Sequence, residues 1–364
     1  IPHTRAQDGA MKITRVIAVP LSIPFQYGAA NGRRLEFCLV RVETDQGIVG
    51  WGDAFAYNCL STVVAAVNDM IAPLAVGHDA EDIAGLNQLI QRKLHIFGRF
   101  GVQAYAISGL DIALWDIAGK AAGEPVHRLL GGARRTSIPC YASLLRYGDA
   151  ALVVKHCERV LAEGFPTVKL HEVNEAIIAA ARAAVPKYVP LTLDVNCEWT
   201  PKEAIAAAMR FRPHRLHWLE EPVFPPEDFA ALRAVGEESA IPIAAGENLC
   251  FATQFKAAFD ARALDYAQPS VIKVGGITEF VKVLQLATER GVKVAPHSPY
   301  FGPGALATLH LLAALVPEAL FEYYYLSPEA SLYPDLFGAA AVKVPSGPGL
   351  GRDPDPEVMR RYRA

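Results

Sequence analysis

The chain has 364 residues, of which 52% are hydrophobic and 20% are charged, and its formal net charge is −3. This composition is too apolar for a disordered protein, and the weak acidity argues against nucleic acid or an anionic membrane surface as a partner. The length exceeds what one compact core usually holds, so we predict two domains or one large barrel with an added domain.

Six cysteines lie far apart without a CxxC pair, which favours reduced thiols and a cytoplasmic location. No apolar run approaches the ~20 residues that span a bilayer, so we expect no membrane partner. The first ten residues lack the layout of a signal peptide, and we expect residues 1–10 to be sequence added during cloning. Apolar barrel helices favour a homo-oligomer of open stoichiometry.

Residues 11–132 combine two periodicities. Apolar and polar residues alternate from Met11 to Gly50, which predicts antiparallel strands. From Ser61 to Leu130 the period becomes helical. We therefore predict an N-terminal α+β capping domain over residues 11–132.

Residues 133–326 change to short apolar strands that alternate with helical stretches. Parallel strands need such crossovers, so eight repeats predict a parallel barrel whose chemistry lies at the carboxyl ends of its strands. The Pro- and Gly-rich residues 327–364 form no further repeat, and we expect them to pack on the capping domain. The predicted strands are IPCYASL, PTVKLH, PLTLDVN, LHWLEEP, IPIAAGE, LDYAQPS, VKVAPH and ALFEY.

Three acids occupy the same place on three successive strands. Asp194, Glu220 and Glu247 each end a predicted strand. Adjacent strands lie roughly 4.8 Å apart, so these side chains converge on a volume suited to one cation. Each acid alone could cap the helix that follows, but three in register favour metal ligands, and oxygen ligands favour Mg²⁺ over Zn²⁺.

Candidate acid–base groups lie on both sides of these acids. Lys169 and His171 are two residues apart and therefore share one face of their strand, while His297 ends the seventh strand. Taken singly, His297 could be a buried structural histidine and Lys169 a surface lysine. Together with a metal they predict abstraction of the proton alpha to a carboxylate, through an enediolate.

The chain resembles the enolase superfamily, specifically its mandelate racemase and muconate lactonizing enzyme branch, over residues 11–364. The resemblance implies a modified (β/α)7β barrel with an N-terminal capping domain, one Mg²⁺ and a carboxylate substrate. The motifs that carry it are SGLDIALWDIAGKAAGEPVHRLLGG, the Lys-x-base pair at 169–171, DVN at 194–196, WLEEP at 218–222, GEN at 246–248, KVGG at 273–276 and PHSP at 296–299.

The resemblance also implies roles for individual residues. His171 corresponds to a base, Lys169 to an electrophilic cation, and Glu322 to an acid that hydrogen-bonds the substrate carboxylate. Asn196 corresponds to a polar group near the metal, where we expect it to bind the substrate, and Lys273 corresponds to a cation behind the metal ligands. We expect Glu221, which follows Glu220, to support the ligands as well.

Two positions depart from the family pattern. His171 stands where the second residue is commonly lysine, and Ser270 stands where racemase-like members have aspartate and muconate-type members have lysine. A serine can accept a hydrogen bond from His297 but supplies no negative charge to stabilise an imidazolium. We therefore expect His297 to donate a proton to a leaving hydroxide while His171 abstracts the alpha proton.

Aromatic residues are candidates for binding the substrate above the metal. Tyr27, Tyr57 and Tyr300 are the main candidates, with Tyr323 as a further one. Alternatively, these rings only pack the interface between the domains.

Three functions fit the sequence. The first is a Mg²⁺-dependent lyase that dehydrates a hydroxylated acid such as a sugar acid. The second is a racemase, epimerase or cycloisomerase of a carboxylate. The third is a non-catalytic barrel protein, which Ser270 alone suggests.

Overall fold

The computed structural model describes residues 10–27 and 30–364, without the side chains of Tyr27 and residues 30–32. Its first element is an antiparallel sheet in which the second strand pairs with both others. Leu21, Ile23 and Phe25, spaced two apart, bury one face of the first strand, as alternation requires. The strands are β1 (Ile13–Tyr27), β2 (Ala30–Thr44) and β3 (Val49–Ala54).

Helices complete the capping domain. The longest has 21 residues, is buried over most of its length and packs on β3. It ends at Gly123, whose left-handed backbone suits glycine. In chain order the helices are α1 (Leu60–Ala65), a π-helix (Ala66–Ile71), α2 (Ala72–Ala75), α3 (Ile83–Lys93), a 3-10 turn (His95–Phe97), α4 (Val102–Ala122) and α5 (Val126–Leu129).

Eight parallel strands form the barrel, and each coincides with a predicted strand. They are β4 (Ser137–Ser143), β5 (Val168–Leu170), β6 (Leu191–Asp194), β7 (Leu219–Glu220), β8 (Ile243–Ala245), β9 (Tyr266–Ala267), β10 (Lys293–Val294) and β11 (Phe321–Tyr324). The ladder runs from β10 through β9, β8, β7, β6, β5 and β4 to β11. The last strand thus pairs with the first, as in a closing barrel.

Seven helices connect these strands and cover the barrel. They are α6 (Ala150–Ala162), α7 (Glu175–Ala184), α8 (Pro201–Phe211, followed by a 3-10 turn at Arg212–His214), α9 (Phe229–Ser239), α10 (Phe251–Asp260), α11 (Gly276–Arg290) and α12 (Pro303–Ala314). This confirms the predicted (β/α)7β barrel with an α+β capping domain.

The C-terminal segment contacts both domains. It contains β12 (Ala341–Lys343), which pairs antiparallel with β4 at the barrel, and α13 (Pro356–Arg361). After α13 the chain returns to the capping sheet, where the Ser22 N–H donates to the Tyr362 carbonyl at 2.9 Å. Segments distant in sequence therefore hold the two domains together.

Two further properties concern the whole chain. None of the helices in the described ranges combines the length and apolar character that crossing a lipid bilayer requires. All six cysteines are free thiols.

Candidate active site

The three predicted strand-end acids lie at the carboxyl ends of neighbouring strands. Asp194 and Glu220 are paired in register on β6 and β7, and Glu247 follows β8 by two residues. Asp194 is 1% exposed and Glu220 is fully buried. Two buried carboxylates side by side are unfavourable unless cations compensate their charge.

These acids are not helix caps, which was the structural alternative for each of them. The caps of the following helices are Thr200, Asp228 and Cys250. The Asp228 carboxylate accepts the Ala231 N–H, and Thr200 forms a capping box with the third residue of its helix. The strand-end acids are therefore available for another role.

Lys169 on β5 is the principal cation among the acids. Its Nζ lies 3.0 Å from Asp194 Oδ2, 2.5 Å from Glu220 Oε1 and 2.9 Å from Glu322 Oε1, and the side chain is fully buried. Burial alone would lower the pKa of Lys169, but the three carboxylates raise it well above its usual value. Lys169 is thus a charged lysine inside the barrel, and Glu322 reaches it from β11.

The two adjacent acids differ in their electrostatics. Burial alone would raise the pKa of Asp194, but Lys169 and a hydrogen bond from His171 hold it well below its usual value. Burial and the charge of Asp194 raise the pKa of Glu220 well above its usual value. When both are ionised, these acids therefore carry more negative charge than Lys169 alone offsets.

A second cluster surrounds Glu247. The Nε2 atom of His297 lies 2.5 Å from Glu247 Oε2, and Lys273 Nζ lies 3.3 Å from Oε1. Burial alone would raise the pKa of Glu247, but these two neighbours hold it below its usual value. Lys273 also donates to Asn248 Oδ1 at 2.9 Å, so it bridges Glu247 and Asn248.

Glu221 is buried behind the strand-end acids. The Asn248 amide donates to both of its oxygens, at 3.0 and 3.1 Å. Burial and the charges of Glu247 and Asp194 raise its pKa to about 8. Asn248 is a site residue that the sequence reasoning missed, although it lies in the GEN motif.

The donors fit a hard divalent cation in their chemistry. All three are carboxylates, and the raised pKa values of Glu220 and Glu221 reflect negative charge that such a cation would offset. Within residues 10–27 and 30–364, no three acidic, histidine or cysteine side chains already converge as ligands. Lys169 and His297 instead occupy the acid oxygens, so the acids would have to turn toward a cation to bind it.

His171 shares a face with Lys169, as the spacing predicted. Its Nδ1 lies 2.5 Å from the carbonyl oxygen of Leu144 and its Nε2 lies 3.3 Å from Asp194 Oδ2. A carbonyl can only accept, so Nδ1 carries the proton and Nε2 faces the acids. His171 and His297 thus contact different strand-end acids.

Ser270 and His297 do not form a hydrogen bond with each other. Ser270 is fully buried, and neither its hydroxyl nor His297 Nδ1 has a hydrogen-bond partner among the residues that the structure describes. The hydrogen bond that a serine can accept from an imidazole is therefore not formed here. The imidazole contacts the Glu247 carboxylate, a stronger acceptor than a hydroxyl.

The predicted substrate-binding aromatics have different environments. Tyr300 lies near His297, with ring centroids 6.4 Å apart, and Tyr57 is 37% exposed. The Tyr27 side chain lies outside the described residues.

Asn196 lies next to the metal-ligand candidate Asp194. It is exposed and has a left-handed φ of 48°, and the Asp194 carboxylate accepts its backbone N–H at 2.8 Å.

Tyr323 does not face the site. Its ring lies 5.8 Å from Phe165 and 5.6 Å from Phe301, in the core outside the barrel. Tyr324 lies 5.6 Å from Tyr300 instead. Strand alternation puts Tyr324 on the same face as Glu322, so this signal was present in the sequence and was missed.

A capped β/α barrel with buried acids at its strand ends defines the class of protein. Residues 11–131 match the family described as mandelate racemase / muconate lactonizing enzyme, N-terminal domain, and residues 152–358 match the enolase C-terminal domain-like family. The chain belongs to this branch of the enolase superfamily, which confirms the resemblance.

Similar proteins span nearly the whole chain. The D-galactarolactone cycloisomerase of Agrobacterium fabrum is 32% identical, covering 97% of this chain and 99% of the relative. The D-galactonate dehydratase of Ralstonia nicotianae is 33% identical, covering 89% and 91%. A mandelate racemase/muconate lactonizing protein from Paracoccus denitrificans, solved with magnesium, superposes with a TM-score of 0.85 at 26% identity and covers 97% of both chains.

Proposed function

We propose that this protein is a Mg²⁺-dependent lyase that removes water from a hydroxylated sugar acid. The observation that supports this proposal most is the placement of two imidazoles beside different strand-end acids, with Lys169 buried among Asp194, Glu220 and Glu322. His171 lies against Asp194, and His297 lies against Glu247. Such an arrangement supplies a base and an acid around a carboxylate substrate.

Asp194, Glu220 and Glu247 would hold one Mg²⁺. The bound ion would supply electrostatic stabilisation for negative charge that develops on the substrate carboxylate. Lys273 contacts Glu247 directly, and Asn248 links Lys273 to Glu221 behind the acids. The magnesium in the Paracoccus denitrificans structure supports this assignment.

His171 is the proposed base. Its Nδ1 proton is directed at the Leu144 carbonyl, and with Asp194 bound to Mg²⁺ instead of to this imidazole, Nε2 would be free to accept the alpha proton of the substrate. The buried charge of Lys169 stabilises the enediolate that results. Glu322 accepts the Ser298 N–H at 2.8 Å and is held by Lys169, which fixes it for contact with the substrate.

His297 is the proposed acid. Its proton goes to the beta hydroxyl of the substrate as the carbon–oxygen bond breaks, so water leaves and the enol becomes a 2-keto-3-deoxy acid. Ser270 supplies no charge behind this imidazole. The aspartate that racemase-like members of the family carry at this position is missing, which favours the acid role over a symmetric pair of bases.

A panel of aldonic and aldaric acids with Mg²⁺ tests the proposal, because dehydration yields 2-keto-3-deoxy acids that a carbonyl reagent detects. His171→Gln should abolish turnover and exchange of the alpha hydrogen with D₂O. His297→Gln should abolish water loss but keep the exchange. His78→Gln, on the capping domain, is the matched control and should resemble the wild type. Absence of turnover on every acid would overturn the lyase proposal.

A cycloisomerase or an epimerase is the second candidate. The relative from Agrobacterium fabrum is named for cycloisomerization, and imidazoles beside different acids also suit proton transfer on both faces of a substrate. Proton NMR in D₂O separates the candidates, because a 1,1-proton transfer exchanges the alpha hydrogen without losing water. Alpha exchange with full retention of oxygen would favour this candidate over the lyase.

A further inference from the structure

The loop after β4, residues 144–148, encloses the end of β5, where His171 lies. The Leu144 N–H donates to the Lys169 carbonyl at 2.9 Å, and the Leu144 carbonyl accepts from His171 Nδ1 at 2.5 Å. One residue therefore fixes both the backbone before His171 and the imidazole itself.

Arg146 holds the backbone on the other side of His171. Its Nε donates to the His171 carbonyl at 2.6 Å, and its Nη2 donates to the Val195 carbonyl at 3.3 Å. The guanidinium is planar, so two such bonds fix the ends of β5 and β6 relative to each other. Its Nη1 also pairs with Glu198 at 3.1 Å, where both side chains are well exposed.

Glu172, two residues after the end of β5, contacts the same loop from the other side. It is 2% exposed, and its Oε1 accepts the backbone N–H groups of Tyr147 and Gly148 at 2.7 and 3.2 Å. The turn there needs glycine, because Gly148 has a φ of 67°. A buried carboxylate on two N–H groups is a strong and directional contact.

We propose that Arg146 and Glu172 are positioning residues that fix the ring orientation and tautomer of the His171 imidazole. The inference rests on the proposed role of His171 as the base. An imidazole has two chemically distinct nitrogens on a short stem, so it abstracts a proton well only when one nitrogen is held away and the other is aimed at the substrate. The Leu144 carbonyl holds Nδ1, and Arg146 and Glu172 keep the loop that carries this carbonyl in place.

The contacts predict a specific pattern of kinetic effects. Arg146→Ala and Glu172→Ala should lower kcat roughly 10- to 100-fold with KM changed less than about threefold, because misorientation affects the proton transfer more than substrate binding. Arg146→Lys and Glu172→Gln should recover part of this loss, since an ammonium can still reach one carbonyl and an amide oxygen can still accept both N–H groups.

Glu198→Gln is the matched control. It removes the ion pair of Arg146 but leaves both carbonyl contacts, so kcat should stay within about twofold of the wild type, as expected for exposed pairs. Thermal melting of each variant identifies those that fail to fold. If an alanine variant does not fold, the test at that position relies on Arg146→Lys or Glu172→Gln.

Nitrogen-15 NMR of the histidine side chains supplies a readout that needs no turnover. The His171 signals, assigned by their loss in His171→Gln, should show a protonated Nδ1 in the Mg²⁺-loaded wild type and in Glu198→Gln. Arg146→Ala and Glu172→Ala should shift them toward a mixture of tautomers.

Unchanged His171 signals in both alanine variants, or kcat values like that of Glu198→Gln, would overturn the proposal. The NMR result separates it from the proposed function. If the wild type dehydrates no sugar acid, the lyase proposal fails while the tautomer result still tests the positioning by Arg146 and Glu172.

Discussion

The burial of Lys169 among Asp194, Glu220 and Glu322 is the strongest electrostatic feature at the residue scale. One ammonium faces three carboxylates without contact to water. Breaking a buried ion pair is more damaging than never forming it, because the remaining charge has no solvent to stabilise it. Lys169 therefore supports the fold as well as the proposed chemistry.

Replacing Lys169 with methionine tests this dual role. In metal-free protein, Lys169→Met should lower the free energy of unfolding by about 3–5 kcal/mol, the usual effect of leaving buried charge unpaired. Urea unfolding in the presence of a chelator measures it. The exposed Lys155 is a control, and Lys155→Met should change the value by less than about 0.5 kcal/mol. Equal losses of unfolding free energy in Lys169→Met and Lys155→Met would contradict the structural role of Lys169.

Asp53 on β3 is a second buried acid, at the junction of the domains. Its carboxylate accepts the Gly304 N–H at 3.4 Å, near the start of α12. Burial raises its pKa to about 8, against a smaller lowering by this hydrogen bond. The pKa is higher in the folded state than in the unfolded chain. The folded protein is therefore more stable while Asp53 is protonated, and it loses stability as the carboxyl group ionises.

Stability should therefore fall with rising pH between about 4 and 8, by at most roughly 1.4 kcal/mol per pH unit from this group. Asp53→Asn removes the titration, so the difference in unfolding free energy between variant and wild type should grow in favour of the variant over that range. Denaturation at pH 5 and pH 8.5 measures it. A difference that is independent of pH would show that Asp53 titrates normally.

At the scale of elements, β3 and α4 pack with almost no side-chain space between them. A Cβ atom at Gly52 would lie 1.8 Å from the Gly109 carbonyl oxygen, and one at Gly50 would lie 2.2 Å from the Ala113 carbonyl oxygen. The obstructing atoms are backbone and cannot rotate away. This close approach fixes the capping sheet on its longest helix.

Gly52→Ala should consequently destabilise the protein by about 3 kcal/mol or more, at the upper end of overpacking effects. Gly236→Ala, on α9, is the control, because its new methyl group would meet the Ile243 side chain at 3.0 Å and no backbone atom outside the helix closer than 3.8 Å. Thermal melts of both variants compare the two environments. Similar melting temperatures of the two variants would mean that β3 and α4 can move apart without a loss of stability.

At the scale of the whole molecule, the capping domain contacts the barrel site through Lys273. Its ammonium lies 4.6 Å from the ring centre of Phe55 and 5.9 Å from that of Tyr105, and both rings belong to the capping domain. The same ammonium pairs with Glu247. Cation–π contacts of this kind stabilise a buried cation and tie the two domains to one acid.

Binding of Mg²⁺ should therefore stabilise the entire protein. At a free Mg²⁺ concentration of 100 times the dissociation constant, the gain is about 2.7 kcal/mol, seen as a rise in Tm that a chelator reverses. Glu247→Gln should abolish the rise, whereas Glu237→Gln on α9 should keep it. Equal rises in the two variants would exclude Glu247 as a ligand, and no rise in the wild type would favour the non-catalytic alternative.

The sequence by itself determined the eight strands, the strand-end positions of Asp194, Glu220 and Glu247, and the shared face of Lys169 and His171. These follow from periodicities within single elements, which are local properties of the chain. Only the tertiary structure decided that Lys169 joins three acids, that His297 contacts Glu247 and leaves Ser270 unpaired, and that Arg146 reaches the end of β5. Those contacts depend on barrel closure and on the competition among charges for partners in a space without water, and neither is encoded in one segment.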